Sequence, residues 1–171
     1  TMLTAGPVDA GADSPKLDDA ALVAACDKKD WAACKELGDR KNLAKQYDKA
    51  MELWSRACTG GNGLACTQLG FAHAGGSAGV KDAEKAVALW QKGCDAGDPN
   101  GCNALGEAYA TGRGVTTDAA KAVALYQGGC DKNHFPSCSN LGFAYHSAQG
   151  VAKDLDKATA LFKKACDGGE P

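Results

Sequence analysis

Apolar residues return at fixed phase along this chain. Leucine followed by glycine occurs at Leu37-Gly38, Leu69-Gly70, Leu105-Gly106 and Leu141-Gly142. Further on in each unit come Ala50, Ala86, Ala122 and Ala158, then Leu53, Leu89, Leu125 and Leu161, each leucine followed by Trp54, Trp90, Tyr126 or Phe162. The later copies are 36 residues apart and the first is four residues shorter. Within a unit, Leu105, Ala108 and Tyr109 fall at spacings of three and four, which is one apolar helical face. Ala122, Leu125 and Tyr126 form a second such stripe, with lysines on the other side. Gly112-Arg113-Gly114-Val115 separates the two stripes, and Asp118, like Asp82 before it, sits where an N-cap belongs. Each unit therefore reads as a helix pair, A then B, and a period of this length marks a solenoid.

The predicted elements are a partial helix at 19–28 and four A/B pairs. The pairs fall at 31–40 and 46–58, 62–74 and 82–95, 98–111 and 118–131, and 134–147 and 154–167. Short turns make neighbours antiparallel. Residues 1–16, rich in Ala, Gly, Pro and Asp, read as a flexible leader. Residues 17–171 carry the array, with repeats starting near 31, 62, 98 and 134. A glycine inside a helix costs roughly 1 kcal/mol against alanine, so the glycines of the Leu-Gly pairs imply close approach of the partner helix.

A helix pair of 36 residues with L-G in helix A, G-x-G-V between helices, A-x-x-L-[WYF] in helix B and C-x7-C at the joint resembles the Sel1-like repeats. More narrowly it resembles their cysteine-rich secreted branch, typified by the Helicobacter cysteine-rich proteins. The resemblance covers residues 17–171. Two departures stand out: the first unit has Arg40-Lys41-Asn42-Leu43-Ala44-Lys45-Gln46 in place of G-x-G-V, and the second has Gly75-Gly76-Ser77-Ala78-Gly79-Val80. The expected fold is all-α, a right-handed α/α superhelix of the TPR-like solenoid kind, stapled by disulfides.

Eight of the nine cysteines form four pairs with seven residues between members: Cys26-Cys34, Cys58-Cys66, Cys94-Cys102 and Cys130-Cys138. Each pair spans the tight turn from the end of one helix B to the start of the next helix A. A disulfide there stabilises by roughly 2–3 kcal/mol in the chain-entropy model. A metal site is the rival reading, but C-x7-C without neighbouring histidines does not match zinc-ligand spacings, so no metal is expected. Persistent disulfides imply an oxidising compartment. Cys166 has the phase of a first member and would pair with position 174. It is expected to be free, either because the natural chain continues past Pro171 or because it serves a dimer.

Composition narrows the partners. Lys and Arg total 19 against 21 acidic residues, with a net charge of −2. No basic run or stacking motif suits nucleic acid. No apolar stretch approaches 18 residues, so no membrane span is expected. No signal peptide is visible. The expectation is an exported protein, periplasmic, outer-membrane-associated or secreted, from which an upstream targeting sequence or lipid-anchored segment has been removed.

Catalytic patterns are thin. Gly75-Gly76-Ser77-Ala78-Gly79 satisfies G-x-S-x-G, but that motif works on a strand-to-helix turn, and here it occupies the turn between two helices. His73, His134 and His146 lie at different phases of the repeat, His73 where Tyr109 and Tyr145 stand. No cofactor is implied and no catalytic residue is assigned. The leading function is a scaffold that holds a protein or peptide ligand in a concave groove, lined by helix A as in similar helical-repeat proteins. That geometry places Lys35, Thr67, Asn103 and Ser139 in one ladder and Asp39, Phe71, Glu107 and Phe143 in another, with Phe71 and Phe143 as candidate anchors. The alternative, implied only by the resemblance, is a weak penicillin-binding or β-lactamase-type hydrolase.

Overall fold

The computed structural model describes residues 17–79 and 81–168. The leader at 1–16 lies outside the described residues. Among these residues there are nine α-helices: α1 (Asp19–Asp27), α2 (Trp31–Leu43), α3 (Tyr47–Thr59), α4 (Gly63–Gly75), α5 (Ala83–Asp95), α6 (Pro99–Thr111), α7 (Ala119–Asp131), α8 (Phe135–Ser147) and α9 (Leu155–Asp167). A short 3-10 turn, Ser77–Gly79, follows α4. Repeats 1 to 4 are the pairs α2/α3, α4/α5, α6/α7 and α8/α9. Each helix packs on its neighbours in sequence, giving an A layer (α2, α4, α6, α8) and a B layer (α1, α3, α5, α7, α9). The fold is the right-handed α/α superhelix.

Helix starts are written in the sequence. Asp82 Oδ1 accepts from Lys85 N at 2.9 Å, Asp118 from Lys121 N at 3.0 Å and Asp154 from Lys157 N at 2.9 Å. Such caps satisfy amide donors that the helix cannot. One boundary differs from expectation: α2 runs to Leu43 rather than residue 40. Without the G-x-G-V break, Arg40-Lys41-Asn42-Leu43 continue the helix, and Lys45 takes the left-handed turn position at φ 58°.

The Leu-Gly motif is the packing device between A and B. Leu37, Leu69, Leu105 and Leu141 are buried, as are Ala50, Ala86, Ala122 and Ala158. Each such leucine contributes about 1.5–3 kcal/mol by leaving water. The following glycine admits the aromatic ring of helix B against the backbone of helix A. A Cβ at Gly38 would lie 2.6 Å from Trp54, at Gly70 2.6 Å from Trp90, at Gly106 2.6 Å from Tyr126 and at Gly142 2.7 Å from Phe162. Phe162 is only half-buried, since no helix follows α9 among the described residues to cover it.

The joints carry four disulfides, Cys26–Cys34, Cys58–Cys66, Cys94–Cys102 and Cys130–Cys138, with Cα–Cα distances of 4.7, 4.6, 4.5 and 4.6 Å. Cys166 is free and exposed. The second glycine of the G-x-G-V turn keys one repeat to the one before: a Cβ on Gly114 would collide with the Ala83 carbonyl at the start of α5, and one on Gly150 with that of Ala119 at the start of α7.

Candidate functional site

The candidate ladder residues all lie on the A helices but divide into different roles. Lys35 and Asp39 form an ion pair at 2.6 Å within α2, and Asp39 Oδ1 also accepts from Trp54 Nε1 at 2.9 Å. Thr67 is a correction: it is 2% exposed, wedged where a Cβ on Gly93 or Gly101 would strike its hydroxyl. Glycine at both facing positions draws the helices together over it, so no ligand reaches Thr67. Asn103 Nδ2 donates to Glu107 Oε1 at 2.8 Å, and Asn103 Oδ1 accepts from Asn140 Nδ2 at 3.0 Å and Ser137 Oγ at 3.1 Å. Ser139 is half-buried on α8. Phe71 and Phe143 are 45% and 60% exposed. Each rests on the aromatic ring of its own helix B, Phe71 on Trp90 at 5.5 Å between centroids and Phe143 edge-on to Phe162 at 5.0 Å.

Three clefts occur in one register along this face, one at each passage from a repeat to the next. The first, of about 180 Å³, lies between repeats 1 and 2 and includes Trp54, Gln68 and Phe71. The second, of about 140 Å³, lies between repeats 2 and 3 and includes Phe71, Trp90, Glu107 and Arg113. The third, of about 340 Å³, lies between repeats 3 and 4 and includes Ala119, Val123, Tyr126, Asn140 and Phe143. Each has a B-helix aromatic at its base, Trp54, Trp90 or Tyr126. Burial, followed by the nearby Glu107 charge, pushes the Tyr126 hydroxyl above its ordinary pKa, so it presents a neutral O–H.

Of the eight ladder residues, Phe71, Glu107 and Phe143 line these clefts. Sequence reasoning missed Gln68 and Asn140 on the A helices and the B-helix aromatics Trp54, Trp90 and Tyr126 as lining residues. The available signal was phase: Gln68 and Asn140 both stand two residues after the second cysteine of a joint.

The remaining motif residues are accounted for by packing or lie elsewhere. Ser77 lies in the 3-10 turn and at the edge of the first cleft, and no histidine or carboxylate bonds its hydroxyl among the described residues. His73 is 4% exposed with no partner for Nδ1. Burial, then the Lys85 charge, lowers its pKa, while Asp82 opposes this. His134 Nδ1 lies 2.8 Å from Ser137 Oγ at the α7–α8 joint, and His146 is exposed near the end of α8. Among the described residues no cluster of His, Cys, Asp or Glu could hold a metal ion, and no helix is long and apolar enough to cross a membrane.

The comparisons agree with this geometry. The family model for the Sel1 repeat matches residues 30–62, 63–98, 99–134 and 136–170, and the chain belongs to the Sel1 repeat family. A Sel1 repeat protein from Oxalobacter formigenes superposes with a TM-score of 0.83 at 22% identity, over 90% of this chain and 65% of that one. A protective antigen of uropathogenic Escherichia coli displaying an SLR fold gives 0.84 at 27% identity, over 90% of this chain and 34% of that one. The chain thus spans less than two thirds of the length of either. Helicobacter pylori cysteine rich protein B gives 0.58 at 28% identity, over 72% of this chain and 88% of that one. No curated protein matches the sequence.

Proposed function

We propose that this protein is an exported, non-catalytic scaffold that holds an extended peptide or a segment of a partner protein along its A-helix face. The observation that carries the reading is the row of three clefts in one register, each with an aromatic base and each walled by an exposed phenylalanine, Phe71 in the first two and Phe143 in the third. Peptide grooves combine apolar pockets at regular intervals with polar groups between them, and Asn103, Glu107 and Asn140 supply the polar groups here. Four disulfides support residence in an oxidising compartment.

The test is photo-crosslinking from position 143, with a benzoyl-phenylalanine in place of Phe143, in the exported fraction of the source cells. A crosslinked peptide or protein that is lost when unlabelled ligand competes supports the reading. Crosslinking that is indifferent to competition, together with nitrocefin turnover by the purified protein, would favour the hydrolase alternative instead.

A further inference from the structure

Trp54 and Trp90 occupy the same phase of successive repeats and wedge in the same way against Gly38 and Gly70. Their indole N–H groups differ. Trp54 Nε1 donates to Asp39 Oδ1 at 2.9 Å. The residue equivalent to Asp39 in repeat 2 is Phe71, and Trp90 Nε1 is buried with no acceptor. A buried donor left unpaired costs about 1–3 kcal/mol. Arg113 lines the same cleft. Its side chain is exposed, and no carboxylate pairs with it among the described residues.

Resting on the groove reading above, we infer that the cleft between repeats 2 and 3 receives an Asp or Glu side chain of the bound peptide, which accepts from Trp90 Nε1 and pairs with Arg113. Repeat 1 shows the chemistry within the chain: a carboxylate satisfies this indole. The peptide supplies in repeat 2 what Asp39 supplies in repeat 1. Glu107, the carboxylate on the opposite wall, receives Asn103 Nδ2 at 2.8 Å and Asn140 Nδ2 at 3.4 Å and is bonded to neither Trp90 nor Arg113. Phe71 lies over the indole and must swing aside. Its ring is 45% exposed and makes no hydrogen bond that such a motion would break.

The clefts on either side decide between a side chain and a chain terminus. The groove continues into the 180 Å³ cleft one way and the 340 Å³ cleft the other, so a peptide lying along it passes through the middle cleft rather than ending there. The large cleft, with Ala119, Val123 and Phe143 among its walls, suits a bulky apolar side chain. Packed helices lie about 8–10 Å apart and an extended chain rises about 3.3 Å per residue. The acidic and apolar residues of the ligand are therefore about three positions apart.

The experiment follows the indole and backbone N–H resonances of the disulfide-intact, nitrogen-15-labelled protein. The probes are a short N-acetylated, C-amidated peptide carrying one Asp at that distance from a Leu, the same peptide with Asn for Asp, and the Asn peptide with a free C-terminal carboxylate. The Asp peptide should move the Trp90 resonance and leave that of Trp54 in place. The Asn peptide and the Arg113→Ala variant should each weaken binding about tenfold or more. Phe71→Asp, which restores the internal acceptor, should abolish the Trp90 response. Equal responses to the Asp and Asn peptides, an undiminished response in Phe71→Asp, or a preference for the free terminus would each overturn the inference. Shifts confined to Phe143 and its neighbours would overturn it while leaving the groove reading intact. No shift anywhere on the A-helix face would count against both.

Discussion

Repeats 1 and 2 are built on the same frame and differ in what the frame presents. Both place a tryptophan against the glycine of a Leu-Gly pair, with contacts that agree within 0.1 Å. Both end at a joint closed by a disulfide. Yet Asp39 closes the first indole from within, whereas Phe71 leaves the second without an acceptor. The two residues share one phase of helix A, outside the leucine stripe. A substitution there leaves the leucine and glycine packing in place and changes what meets the indole of helix B. In a repeat array, recognition can therefore be altered one unit at a time without redesigning the core.

The largest perturbation removes the joint between the two repeats. Cys58→Ser combined with Cys66→Ser should lower stability by roughly 2–3 kcal/mol, read from chemical denaturation followed by tryptophan fluorescence. An unchanged midpoint would mean that the staple constrains nothing the packing does not already hold.

Next come Gly38→Ala and Gly70→Ala. Each new methyl forces a tryptophan ring to move, at a cost of roughly 1–3 kcal/mol for overpacking. Similar costs would establish the two wedges as equivalent. A near-neutral result in one repeat alone would break the equivalence on which the comparison stands.

Asp39→Ala leaves the Trp54 N–H as unpaired as that of Trp90. It should cost about 1–2 kcal/mol through the unmet donor, and the Trp54 indole resonance should move toward that of Trp90. If that resonance does not move, the hydrogen bond is not what separates the two sites.

The smallest effect concerns His73, which only repeat 2 carries at this phase. Its folded-state pKa lies below the ordinary 6.5, through burial and then Lys85, with Asp82 opposing. The unfolded chain therefore takes up the proton more readily than the folded one. The contribution of neutral His73 is intact above pH 6.5 and is lost as the pH falls below that value. His73→Tyr should flatten this acid limb, since Tyr109 and Tyr145 already fill the position, with Lys121 and Lys157 over their rings at 5.2 and 5.3 Å. Melting temperatures across this pH range measure the difference, and parallel profiles would assign the acid loss elsewhere.

The frame was legible because each of its parts obeys a local rule. Leucine spacing gave the helical faces, aspartates gave the helix starts, and seven-residue spacing paired the cysteines. The end of α2 was misplaced because its stop depends on a turn motif that repeat 1 lacks. The site was half legible. Phase, read against the geometry of similar helical-repeat proteins, put Phe71, Glu107 and Phe143 on the exposed side of helix A. The same reasoning put Thr67 there too, and failed, because its burial depends on Gly93 and Gly101, which lie on α5 and α6 and reach it only once the helices pack. The bond from Trp54 to Asp39 was invisible for a related reason: it joins residues from two helices, and no periodicity within either one announces it.

The placement of the disulfides also governs how the protein would yield to tension. Each bridge shorts the turn between one repeat and the next, so a pull on the two ends cannot lengthen the joints. Besides the segments outside the first and last bridges, only the chain between successive bridges can pay out, from Cys34 to Cys58, Cys66 to Cys94 and Cys102 to Cys130. At about 3.3–3.6 Å per extended residue, those spans set fixed lengths that the oxidised chain releases in steps, the first shorter than the other two. Such a molecule behaves as a chain of tethered links of limited reach, and a reductant that opens the bridges would lengthen every link.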